Sequence, residues 1–131
     1  MALETLTKAF EQNQIKKRPG SFGRTLEYVP ANEIIKRLID AGAWNCRIVK
    51  EIINDDEVAV LIELEIDESK RQQWGGKIRK GVSLADALKA ATSDGVKKTA
   101  TLFGVALDLR DEDDVIPTKS YVQQNYGKGV R

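Results

Sequence analysis

Apolar and polar residues change their period several times along this chain, and each change marks an element. Over residues 2–12, Leu3, Leu6, Ala9 and Phe10 fall on one side of a short helix. Gln14–Arg18 and Thr25–Val29 flank the run Pro19-Gly20-Ser21-Phe22-Gly23, whose turn residues predict a hairpin with a flexible tip. Pro30 stands where a helix can begin, and Ile34, Ile35, Leu38 and Ile39 recur at helical spacing up to Gly42. Trp44–Ile53 and Val58–Ile66 are rich in β-branched residues. In the second of these, Val58, Val60, Ile62, Leu64 and Ile66 alternate with Ala59, Leu61, Glu63 and Glu65, the pattern of a half-exposed strand. Asn54-Asp55-Asp56 is the turn between them. Residues 69–82 are polar, basic and glycine-containing, and predict a third, edge-like strand or a loop.

Ser83–Arg110 predicts one long helix. Ser83 with Asp86 three residues on is a capping signature, and good helix formers follow. At about 100° per residue, Leu84, Leu88, Ala91, Gly95, Thr99, Leu102 and Ala106 share a narrow stripe, with Lys89, Ser93 and Lys97 on the other side. The resulting order, α–β–β–α–β–β–β–α, describes an α+β domain in which a β-hairpin and an antiparallel sheet pack on a long C-terminal helix. Residues 1–110 are expected to form that domain. Residues 111–131, with the acidic cluster Asp111–Asp114, are expected to be a weakly structured acidic and polar tail.

Composition narrows the chemistry. The chain of 131 residues has no histidine, and Cys46 is its one cysteine. That removes internal disulfides, His/Cys metal sites and every scheme built on a histidine base. Asp55-Asp56-Glu57 and Asp111–Asp114 offer oxygen ligands, but neither has a recognised ligand spacing. Gly75-Gly76-Lys77 and Gly127-Lys128-Gly129 are too short for a phosphate loop. Cys46 is expected to point from its strand into the core, with no basic partner to activate it. The expectation is a protein without catalytic residues, cofactor or metal. No apolar run approaches the ~18 residues of a membrane span, and the N-terminus lacks a signal-peptide pattern. A cytoplasmic location follows as an expectation; association with the nucleoid is implied only by the resemblance set out below.

The net charge of +1 conceals segregation. Residues 54–68 carry acids and no Lys or Arg, whereas 69–105 carry Lys70, Arg71, Lys77, Arg79, Lys80, Lys89, Lys97 and Lys98 against Asp86 and Asp94. Lys16-Lys17-Arg18 enters the hairpin tip and Arg24 leaves it. These separate basic segments would form a stripe for a polyanion if the fold gathers them. Asp94 can pair with Lys97 or Lys98. Trp44 is expected in the core, and Trp74, among Gln and Gly, is the expected exposed aromatic.

Two blocks together resemble the Rad52/22-type single-strand annealing proteins. SLADALKAATSDGVKKTATLFGVALDL is similar to that family's helix, with Ser83, Leu84, Lys89, Ser93, Asp94, Gly95, Lys97, Lys98, Phe103 and Gly104 in matching places. IKKRPGSFGRTLEYVPANEIIKRL resembles the family's basic hairpin, tyrosine and following helix, and Ala43-Trp44 stands where a Gly-Trp is common. The resemblance implies an oligomeric ring or helical arc with a basic groove that holds single-stranded DNA by its backbone. It implies groove roles for Arg18, Lys97 and Lys98, and matches Tyr28 to the tyrosine of the second hairpin strand. Lys16, Lys17, Arg24, Lys80 and Lys89 complete the expected DNA-binding set. Two departures stand out: Lys98 replaces an arginine and loses its bidentate fork, and Thr101 replaces an arginine that contacts DNA in some members. The size suits a phage or bacterial member.

What the resemblance implies is ATP-independent, metal-independent annealing of single-stranded DNA in homologous recombination and double-strand-break repair. The expected partners are single-stranded DNA, further copies of the chain, and a single-strand-binding protein or nuclease, with no membrane. Two rivals stay open: a double-stranded RNA-binding module, and a structural homo-oligomer whose basic stripe binds protein.

Overall fold

The structure is a computed structural model that describes residues 2–42 and 44–109. The expected tail 111–131, including Asp111–Asp114 and Gly127-Lys128-Gly129, lies outside the described residues, as does Ala43. Along the chain run α1 (Ala2–Thr7), β1 (Lys16–Pro19), β2 (Thr25–Tyr28), α2 (Ala31–Ala41), β3 (Trp44–Ile53), β4 (Glu57–Ile66), β5 (Ser69–Ile78) and α3 (Leu84–Thr101). This is the α+β order read from the sequence. Strands β1 and β2 form a separate antiparallel hairpin, and β3-β4-β5 form an antiparallel sheet with β4 in the centre.

Residues 69–78 prove to be a full strand, because β4 offers an unbroken partner from Glu57↔Ile78 to Ile66↔Ser69. The connecting turn, Asp67-Glu68, has both residues in the left-handed region at φ 50° and 71°. That is the twist a two-residue hairpin needs, met here without glycine. At the other end, the Asn54 side-chain oxygen accepts the amides of Asp56 and Glu57, each at 2.9 Å, and closes the β3–β4 turn.

Helix α3 lies across the inner face of β4 and β5. Val58, Val60, Ile62, Leu64 and Ile66 point into that layer and are all buried. Small residues on α3 let it come close: Ala87, Ala91 and Gly95 are buried on the side that meets the sheet. The closest approach is Gly75 of β5 on Gly95, where a Cβ on Gly75 would run into the Ala91 carbonyl and the Gly95 backbone. Leu84, expected on the packed stripe, is instead 40 % exposed, and the buried face of α3 begins at Ala87. The helix also ends earlier than expected, at Thr101 rather than Arg110. Leu102, Phe103 and Gly104 donate to Thr99, Ala100 and Thr101 in tight i→i+3 bonds, and Gly104 at φ 92° turns the chain away.

The remaining core comes from Leu6, Phe10, Val29, Ile34, Leu38, Val105 and Ala106. In the N-terminal segment Leu6 and Phe10 are buried while Leu3 and Ala9 face solvent, since the helix stops after Thr7. On α2, Ile34 and Leu38 are buried but Ile35 and Ile39 are not. The third inward position is Arg37, which is 8 % exposed. Its guanidinium stacks on the Phe10 ring at 3.8 Å and donates to the Leu6 and Lys8 carbonyls, which α1 leaves without helical partners. Burial lowers the Arg37 pKa and Asp40 raises it in part; the starting value is high enough that the charge persists.

Because α3 covers β4 and β5, the inner face of β3 beyond Trp44 is open. Cys46 is therefore exposed, not in the core as its strand position suggested. Partial burial of its thiol raises the pKa, the wrong direction for a reactive thiolate.

Candidate nucleic-acid interface

The hairpin's two-residue period decides which of its cations meet the helix. Register pairs Lys16 with Tyr28 and Arg18 with Leu26, so Lys16, Arg18 and Tyr28 share one face, while Lys17 and Glu27 share the other. From the far end of the chain, α3 brings Lys97 to the same place. The Arg18 guanidinium lies 5.6 Å from the centre of the Tyr28 ring and the Lys97 ammonium 5.2 Å from it. Together with Thr25, Glu27 and Asp108 they line a cavity of about 260 Å³ between hairpin and helix.

Arg18 and Lys97 bring two positive charges to one ring, whose negative face attracts each by about 0.5–1 kcal/mol at an exposed position. Both could meet a phosphate in the cavity, Arg18 with two donors at once. Glu27 and Asp108 also line the cavity.

Adjacent in sequence, Lys98 is turned about 100° around the helix and faces β5. Its ammonium pairs with Asp94 at 3.2 Å, and Asp94 also accepts the Gly76 amide at 3.0 Å. Asp94 thus clamps helix to sheet and holds Lys98 away from the hairpin. Lys89 is exposed on α3, about 12 Å along the axis from Lys97. Lys80 lies at the opposite end of the sheet, beside Asp55, Asp56 and Glu57. Lys17 and Arg24 line a second cavity of about 310 Å³ at the hairpin tip. Thr101 is buried, its hydroxyl donating to the Lys97 carbonyl at 2.9 Å. A long basic side chain there would meet the packed layer rather than the groove. Trp44 packs on the core, and Trp74 is 37 % exposed on the outer face of the sheet, away from α3.

Two residues become conspicuous only in the fold. Arg37 ties α1 to α2, and its helical spacing with Ile34 and Leu38 was the available signal. Phe22, at the hairpin tip, is 99 % exposed. The signal there was an aromatic among turn residues, between cations on both sides.

On the outer face Glu63 accepts hydrogen bonds from Gln72 at 2.9 Å and Arg47 at 2.8 Å. The Gln72 hydrogen bond, followed by the Arg47 contacts, holds its carboxyl below the usual glutamate range. Among the described residues, no three His, Cys, Asp or Glu side chains converge as a metal site would require. None of the described helices is long and apolar enough to cross a membrane.

The model of the Rad52/22 family double-strand break repair proteins matches residues 2–127. No curated protein sequence matches the chain. A family match of that extent takes in the hairpin, the sheet and the long helix as one unit, and the chain therefore belongs to the Rad52/22 family of double-strand break repair proteins.

Proposed function

We propose that this protein binds single-stranded DNA and anneals complementary strands, without ATP or a metal ion, in homologous recombination and double-strand-break repair. The observation that carries the reading is the convergence of Arg18 and Lys97 on Tyr28 from opposite ends of the domain. Annealing needs no bond-making residue. It needs a surface that neutralises phosphates, so that two complementary strands stop repelling, while their base edges stay free. Cations anchored on a hairpin and a helix, which hold a backbone whatever its bases, suit that task.

One subunit's cavity is too short to align two strands, so the reading includes repetition of the groove around an oligomer, as a ring or helical arc. β3 supports this. It is an edge strand, and Ile48, Val49, Ile52 and Ile53 on it are 41–52 % exposed. An open apolar edge of that length is a pairing surface unless something covers it.

The test is binding and annealing of complementary oligonucleotides in the presence of a chelator and without nucleotide. Wild-type protein should accelerate annealing and bind single-stranded DNA with an affinity that falls with salt. Arg18→Ala and Lys97→Ala should each flatten the logarithmic salt slope by about 0.7, the value for one phosphate contact on a single strand. Binding that ignores salt, or a preference for duplex RNA in competition, would overturn the reading.

A further inference from the structure

We propose that Phe22 is a base-stacking residue at the far end of the same groove. The inference rests on the single-stranded DNA reading above and adds to it a site for bases rather than phosphates.

Phe22 pays twice for its position. Its side chain is 99 % exposed, the most exposed large apolar residue described. Its backbone lies at φ 58°, ψ 37°, in the left-handed region that aromatic residues avoid. The next residue, Gly23, has φ 72° as well, so the chain turns outward at this point and holds the ring in solvent. A ring that is strained and unpacked in the free protein is placed to meet a ligand.

The surroundings select the ligand. The tip cavity is lined by Lys17, Arg18 and Arg24 together with Pro19, Gly20 and Thr25. Arg18 and Thr25 also line the cavity that holds Tyr28 and Lys97. The two cavities thus meet at Arg18 and Thr25, and Phe22 stands between Gly20 and Gly23, which line the tip cavity on either side of it in the chain. An apolar protein surface suits poorly a ring on a hairpin tip whose cavity carries Lys17, Arg18 and Arg24. A nucleic acid strand suits it well: its phosphates meet Lys97, Arg18 and Arg24, and a base meets the ring. Every base has a π-face, so this contact adds affinity without sequence preference, as an annealing protein requires.

The experiment uses single-stranded oligonucleotides with 2-aminopurine at successive positions, since stacking changes its fluorescence. Wild-type protein and Phe22→Trp should show a change at particular positions. Phe22→Ala should abolish it and weaken binding roughly 5- to 150-fold, the range of one lost base–aromatic stack, with the salt slope unchanged because no phosphate contact is lost. Phe22→Leu, apolar but without a π-face, should behave like the alanine variant. If Phe22→Ala keeps wild-type affinity and signal while Lys97→Ala weakens binding, the inference fails and the proposed function stands. A change in particle mass without any effect on the 2-aminopurine signal would make Phe22 a contact between copies and also overturn it. Wild-type protein that binds no single-stranded DNA would defeat both.

Discussion

Lys97 and Lys98 are neighbours with different tasks, and the difference is one of angle. Lys97 reaches the Tyr28 ring, whereas Lys98 is drawn to Asp94 on the side of β5. The partly exposed i,i+4 pair of Lys98 with Asp94 contributes only about 0.3–0.5 kcal/mol to stability, so removing Lys98 should leave the fold intact. Binding should separate the two lysines. Lys97→Ala is expected to lower single-stranded DNA affinity by more than Lys98→Ala, measured by anisotropy at low salt; equal losses would mean that both line the groove. The sequence made the pair conspicuous but could not tell its members apart. Two adjacent helical residues point 100° apart, and only the crossing of α3 over the sheet decides which direction is the groove.

Among the elements, α3 and β5 show how a glycine pair sets a distance. Gly75 and Gly95 bring helix backbone against strand backbone, and the clamp from Asp94 to the Gly76 amide fixes the contact beside them. Gly75→Ala should therefore be costly, because its methyl would meet backbone atoms that cannot rotate aside. A loss of about 2–3 kcal/mol, the upper range for overpacking, should lower the urea midpoint at unchanged slope. Gly95→Ala should cost less, since the atom an added Cβ would meet first, at 2.6 Å, is the Cγ1 of the Ile62 side chain. The small-residue stripe on α3 was visible as a pattern. Its partner Gly75 looked like an ordinary glycine in a polar strand, because proximity between strand and helix is not a local property.

For the whole molecule, the sheet's uncovered outer face gives stability an acid limit. Glu63 is held ionised by Gln72 and Arg47, which join it to the strands on either side. Its carboxyl titrates lower in the folded protein than the ordinary value of about 4.3 in the unfolded chain. The stabilisation is thus complete above that ordinary value and is lost as pH falls through the lowered one. Glu63→Gln should lower the melting temperature near neutral pH and show a shallower decline than wild type as the pH is taken below 4.3 or so. Parallel declines would show that this carboxylate does not govern acid sensitivity.

What the sequence determined by itself is whatever depends on local period and local turn chemistry. The order of elements, the bounds Trp44–Ile53 of β3, the inward row from Val58 to Ile66 on β4, the Asn54 turn and the Ser83 cap were all legible. The two-block resemblance was legible as well, and the family match bears it out. Tertiary structure decided what depends on which surfaces meet. It left β3 half uncovered and so exposed Cys46, stopped α3 at Thr101, and turned Arg37 inward to the carbonyls at the end of α1. It also sorted the cations, bringing Arg18 and Lys97 to one tyrosine while sending Lys98 to Asp94 and Lys80 to the acidic turn. Charge in a sequence has no direction. Packing, which fixes the angle at which a helix crosses a sheet and the face a hairpin turns toward it, supplies one.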